Sequence, residues 1–229
     1  MFLIGSLVNG LAIAAGALLG KMLTRIPEGI KGTVMHAIGL AVSVLGLQMA
    51  LKSENFLLVI ISLVTGALAG ELLRLDERLN SLGEWLERKV GSSGTGSISQ
   101  GFVTATLIFV IGAMGVIGAL DSGIRGNHEV LFTKSLIDGI TALILTTTLG
   151  IGVLFSAVPV FLYQGTIALL ATQIDRFVPQ AWMDAFILEM TAAGGIMILA
   201  IGLNLLGMTN IRVANLLPAI VSVGILVSF

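Results

Sequence analysis

The sequence predicts an all-α polytopic membrane protein, and three observations carry that class. Of its 229 residues, 56% are hydrophobic and only 11% charged, with a mean hydropathy of +1.04. Water-soluble domains run at about a quarter charged, so lipid has to cover part of this chain. Apolar runs of about 20 residues recur along the whole length, each matching the hydrocarbon thickness of a bilayer. Glycine is abundant, at 29 residues, which suits helices that approach closely in a membrane.

Taken in order, the runs predict about eight spans, over 2–23, 32–51, 56–73, 101–120, 130–155, 158–174, 182–206 and 213–229. The stretch 74–90 differs. It is charged, yet Leu75, Leu79, Leu82, Leu86 and Val90 recur at helical spacing with Trp85 alongside. That pattern predicts an amphipathic helix in the membrane interface, or else a helix packed on a loop or partner. A Gly/Ser-rich linker follows at 91–97. A single membrane domain is expected, with a three-helix unit over 1–73, the amphipathic helix and linker over 74–100, and a five-helix unit over 101–229. The first run carries no basic residue before Lys21, so it is read as a retained helix and not a signal peptide.

Basic residues set the expected orientation. Lys21, Arg25 and Lys31 flank the first loop; Arg74, Arg78, Arg88 and Lys89 lie in the third, and Arg212 in the seventh. Even-numbered loops hold only Lys52, Arg125, Lys134 and Arg176. The bias places odd loops in the cytoplasm and both termini outside.

An internal repeat is expected. Gly39, Gly46, Leu47 and Gln48 correspond to Gly195, Gly202, Leu203 and Asn204 at one offset of 156 residues. Upstream, Asn9-Gly10 resembles Gln164-Gly165. Spans one to three then match spans six to eight. The odd separation of equivalent helices gives the triplets opposite orientation, as in secondary transporters with a site near the midplane.

Polar side chains inside the apolar runs are the candidate site. A charge in a bilayer costs a few kcal/mol or more, so it is retained for a purpose. Lys134 and Asp138 stand four apart on one helical face, with Thr141 and Thr148 further along it. They read as a binding site or as a structural pair near the membrane surface. Glu189 precedes a run of small residues and could bind a cation or proton, or lie in the interfacial layer. Asn9, Gln48, Gln164, Asn204 and Asn215 supply amides that both donate and accept, for a solute or for ordinary interhelical bonds. Pro159 and Pro218 lie near two of them and free backbone groups. Asp121, Asn127, His128 and Glu129 read as a vestibule or a plain solvated loop, and His36 as a packed or pore-lining residue.

Other classes are disfavoured. No cysteine exists, and the two histidines, His36 and His128, lie far apart, so no metal ligand set and no cofactor is expected. A net charge of −1 argues against nucleic acid as a partner. No nucleophile–base spacing or phosphate-cradling glycine motif is present, so the chain is not expected to be an enzyme. The expected partners are the lipid bilayer and a small solute or ion. Glycine-rich faces suit either a homodimer or packing within the chain.

Four strings carry a family resemblance: Gly112 to Ala119 (GAMGVIGA), Lys134 to Gly139 (KSLIDG), Tyr163-Gln164-Gly165, and Val213 to Ala219 (VANLLPA). In combination and order the chain resembles the YdfK/YqgA-type family of bacterial integral membrane proteins, the domain-of-unknown-function 554 group. The resemblance implies a multi-pass protein of the bacterial cytoplasmic (inner) membrane, loosely described as a transport protein. It supplies no substrate and no functional residues. The leading expectation is a secondary transporter or uniporter of a small polar solute or ion; the alternatives are a channel, or a non-transporting scaffold or sensor.

Overall fold

The structure is a computed structural model that describes residues 2–23, 28–91 and 97–228. Arg25 of the first loop and 92–96 of the linker lie outside the described residues. Among the described residues ten α-helices follow one another: α1 (Ile4–Met22), α2 (Glu28–Ala50), α3 (Phe56–Leu73), α4 (Leu75–Val90), α5 (Ile98–Val110), α6 (Ala113–Ile124), α7 (Glu129–Leu149), α8 (Ala157–Phe177), α9 (Gln180–Leu205) and α10 (Ala219–Leu226). Two 3-10 segments, Ile151–Ser156 and Val213–Leu216, precede α8 and α10. No strand occurs among the described residues. Helices are what such a sequence must form, because in hydrocarbon each backbone N–H and C=O has to be satisfied within its own segment.

Among the described residues six helical stretches are long and apolar enough to cross a membrane: Ile4–Met22, Gly32–Ala50, Phe56–Leu73, Glu129–Leu149, Ile151–Phe177 and Gln180–Leu205. A seventh is reached if α5 and α6, which bend by 62° at their junction, count as one span. Val213–Leu226 is apolar but shorter.

Three of the eight expected spans differ from the hydropathy reading; the last, 213–229, is only a 3-10 turn followed by the eight-residue α10, so it falls short of a full span. The expected fourth span, 101–120, is a broken pair: the chain turns at Ile111-Gly112, where Gly112 holds φ +143°, a conformation that side chains rarely tolerate. The expected fifth span, 130–155, stops at Leu149. Gly150 has φ +83° and hands the chain to the 3-10 segment that leads into α8. Pro159 then sits near the start of α8, where its missing N–H costs nothing. The stretch 74–90 is helical as expected, as α4. Arg74, at φ 50°, ends α3 in the left-handed region usually given to glycine.

The chain forms two compact units. One comprises Met1–Lys31, Asn80–Val110 and Met114–Phe177; the other Gly32–Leu79, Ile111–Ala113 and Val178–Phe229. Each therefore draws helices from both sides of the 74–100 segment, so the units do not coincide with the 1–73 and 101–229 blocks.

In the first unit α1 lies along α7. A side chain at Gly16 would overlap the Gly139 carbonyl, and one at Gly20 the Leu143 carbonyl, so backbone packs directly on backbone. α8 flanks α1, and the 3-10 segment Ile151–Ser156 lies against α5. In the second unit α9 crosses α2 at Gly46 and Gly195, again with no room for a side chain at either. A second contact joins Gly39 to Gly202. α3 rests on the 3-10 segment Val213–Leu216 and α10, through Gly70 at Asn215 and Gly66 at Ala219.

Burial departs from that of a soluble protein, although the core is still mostly apolar. Leu57, Leu72 and Leu136 are 66%, 86% and 67% exposed, whereas Asn9 and Gln164 are fully buried at 0%. Exposed leucine over buried amide is the arrangement lipid selects.

Candidate binding site

The site is built in the first unit from α7, α1 and α8. On α7, Lys134 and Asp138 are one turn apart, and both are buried, at 8% and 4% exposure. The Lys134 ammonium lies 2.9 Å from Asp138 Oδ1 and 2.7 Å from Oδ2. Burying such a pair gains little net stability, and an unpaired member would be costly, so its retention inside an apolar unit calls for another reason.

From α1, Asn9 Nδ2 donates to Asp138 Oδ2 at 3.0 Å and to Gln164 Oε1 on α8 at 3.2 Å. The chain of contacts has one direction. Lys134 fixes Asp138 as an acceptor. Asp138 then requires the amide nitrogen of Asn9, and Asn9 in turn requires the carbonyl oxygen of Gln164. The amides are thereby oriented, each with one atom left over. Asn9 Oδ1 and Gln164 Nε2 are buried and have no hydrogen-bond partner among the described residues. Each such group costs about 1–3 kcal/mol in a dry interior. Ser6 Oγ, one turn before Asn9 on α1, is in the same condition.

Gly115, in the first turn of α6, borders the cluster. A Cβ there would sit 3.6 Å from Lys134 Cε, 3.7 Å from Gln164 Nε2 and 3.7 Å from the Tyr163 ring. The arrangement is a paired charge, an oriented donor and acceptor, and a glycine-lined wall beside the helix that breaks at Gly112.

The other candidates are placed elsewhere. Thr141 donates to the Ile137 carbonyl at 2.8 Å and Thr148 to Leu145 at 3.0 Å, each within α7. The polar stripe thus extends no further than Asp138. Glu189 belongs to the second unit. It accepts from Ser53 Oγ at 2.6 Å and from the backbone N–H groups of Glu54 and Asn55 at 3.0 and 2.9 Å, tying down the turn before α3. Asn215, also in the second unit, accepts from the Asp76 N–H at 2.8 Å and donates to Glu71 at 2.6 Å. Asn204 braces the turn after α9, accepting from Thr209 and the Ile211 N–H and donating to the Ile211 carbonyl. Gln48 and His36 are on exposed faces of α2. Asp121 pairs with Arg125 at 3.2 Å. Ser122 lies 2.7 Å from His128 Nδ1 and donates to the Phe2 carbonyl at 2.7 Å, a contact that no sequence spacing announces. Gly115 and Ser6 were also invisible as site residues. For Ser6, the signal available was its helical spacing to Asn9.

Three of the four strings that carry the family resemblance meet at this cluster, through Gly115, through Lys134 and Asp138, and through Tyr163 and Gln164. A family model described as "Protein of unknown function (DUF554)" matches residues 4–228. The chain belongs to the DUF554 family. Two curated DUF554-like relatives align over nearly their whole length. "Uncharacterized membrane protein YdfK" of Bacillus subtilis (strain 168) is 30% identical over 221 residues, 94% of this chain and 92% of the relative. "Uncharacterized protein YqgA" of Escherichia coli (strain K12) is 30% identical over 222 residues, 95% and 93% of the two chains. No solved structure matches this DUF554 chain. The apolar helices and the YdfK relative together establish a multi-helical membrane protein.

Proposed function

We propose that this chain is a secondary transporter or uniporter of a small polar solute, and that Lys134, Asp138, Asn9 and Gln164 form its binding site near the bilayer midplane. The observation that carries the reading is the buried Lys134–Asp138–Asn9–Gln164 relay beside a broken helix. Intramembrane ionisable groups facing the protein interior mark solute and ion pathways, and broken helices line transporter sites.

The internal repeat supports the same reading. Exchanging the two segments by their 156-residue offset carries the Gly39–Gly202 contact onto Gly195–Gly46, so that the α2–α9 crossing is reciprocal. Asn9 and Gln164, equivalent in the repeat, bond to each other. The same reading takes the protein to lie in the bacterial inner membrane with odd loops inside and termini outside, supported by the basic residues Lys21, Arg74, Arg78, Arg88 and Lys89.

The test is uptake by purified protein reconstituted in liposomes, across solute classes, with and without a proton gradient. Asp138→Asn protein that inserts and stays monodisperse is expected to lose uptake. Uptake equal to that of the unaltered protein would reject the site, and a rate that fails to saturate with solute concentration would favour a channel.

A further inference from the structure

We infer that the site accepts an uncharged solute that presents a hydrogen-bond donor and an acceptor on neighbouring atoms, a small amide- or polyol-type molecule, and not an ion. This rests on the transport reading above and specifies its substrate class.

Charge is the first argument. The ammonium of Lys134 and the carboxylate of Asp138 cancel, and both oxygens of Asp138 are engaged, Oδ1 by Lys134 and Oδ2 by Lys134 and Asn9. Neither charge is left to meet a counter-ion. A cation or anion entering this cluster would leave a net charge out of water, which costs far more than a neutral guest whose bonds are made.

The unpartnered atoms are the second. Asn9 Oδ1 is an acceptor and Gln164 Nε2 a donor, both on fully buried residues. Each is one amide width from the 3.2 Å contact between the two side chains, so they stand no more than about 8 Å apart. One small molecule with a donor and an acceptor satisfies both. The relay from Lys134 fixes the amides, so the order of acceptor and donor is built in before the guest arrives. That order discriminates between guests, because a site with committed polar groups rejects molecules that leave them unpaired.

Size is the third. The 3.6–3.7 Å separations around the Gly115 Cβ position are ordinary contact distances, so the wall beside Gln164 is close-fitting and a guest held there has to be one of few atoms.

The experiment uses the full chain in liposomes, with entry followed by light scattering or radiolabel. The neutral probes are urea, formamide and glycerol; the ionic probes are acetate and methylammonium, and water flow is measured in the same vesicles. Neutral probes are expected to enter faster than in protein-free vesicles, at a rate that an imposed membrane potential does not change. Asn9→Leu and Gln164→Met are each expected to lower that rate about tenfold or more, since each removes one of the two bonds. Thr172→Ala, on an exposed face of α8, is expected to leave it unchanged. Should an apolar variant not insert, Gly115→Ala takes its place with the same expected loss. Entry of ionic probes alone overturns the neutral-solute assignment and leaves the transport reading standing. Water flow without solute entry assigns the two atoms to water and overturns it. Full rates in the inserted variants also overturn it. No protein-dependent entry in any arm overturns both readings.

Discussion

Asn9 and Gln164, 155 residues apart, meet inside the first unit with Nδ2 of one donating to Oε1 of the other at 3.2 Å. The contact closes a relay that starts at the Lys134 ammonium, and it turns an ion pair on one helix into an oriented site shared by three. If the relay is what matters, the ion pair is there to direct amides and not to strengthen the fold.

The first prediction separates these roles. Asp138→Leu alone leaves the buried Lys134 charge unpaired and is expected to cost about 3–5 kcal/mol, read as a lower unfolding temperature in detergent. Combining it with Lys134→Met removes the charge and is expected to recover most of that loss. Solute uptake should stay lost in the double variant, because nothing then orients Asn9. Recovered uptake would make the pair a structural strut.

Two glycines on the walls of the first unit should respond in opposite ways. At Gly16 a methyl group would overlap the Gly139 carbonyl, so Gly16→Ala is expected to push α1 off α7 and destabilise by about 1–3 kcal/mol or more. At Gly115 the methyl would find only ordinary contacts at 3.6–3.7 Å. Gly115→Ala is expected to keep the unfolding temperature within the error of the unaltered protein. Equal losses of stability at the two positions would show that the cluster is packed as tightly as the α1–α7 seam.

Glu189 is expected to act on stability and not on uptake. Glu189→Ala removes the acceptor of the Glu54 and Asn55 N–H groups and of the Ser53 hydroxyl, all part-buried, costing about 1–3 kcal/mol. Hydrogen exchange at the amides of 54 and 55 should accelerate, while the solute concentration at half-maximal uptake stays the same. A shift in that concentration would bring Glu189 back as a binding residue.

Asn215 holds the corner between α3 and α4 by bonding Glu71 and the Asp76 N–H. Asn215→Leu is expected to loosen this corner, with faster proteolysis around 74–79 and a loss of about 1–3 kcal/mol. Cleavage unchanged from that of the unaltered protein would mean that the Arg212–Glu71 ion pair, at 2.8 Å, suffices alone.

Much of the fold was legible in the residues. Leucine-rich windows of membrane length dictate helices because lipid offers the backbone no partner, and this holds whatever the neighbours are. The spacing of Leu75, Leu79, Leu82 and Leu86 foretold α4 for the same local reason. Lys134 and Asp138 could be placed on one face because a four-residue step is a property of the helix itself. The helix breaks were less legible. Gly112 and Gly150 take a positive φ, as do Gly91, Gly126 and Gly207 in turns, and a hydropathy window treats all glycines alike.

What the chain determined by itself is local: helical segments, their apolar faces, and the ion pair one turn apart, all set by transfer out of water and by the 3.6-residue period. What the tertiary structure decided is partnership. Five amides looked equivalent as candidates, yet Asn9 and Gln164 join Asp138, whereas Asn204 and Asn215 brace turns and Gln48 faces outward. Thr141, on the expected face, spends its hydroxyl on its own helix. An amide reveals its role only through the atom opposite it, and that atom is supplied by whichever helices the glycine seams bring into contact.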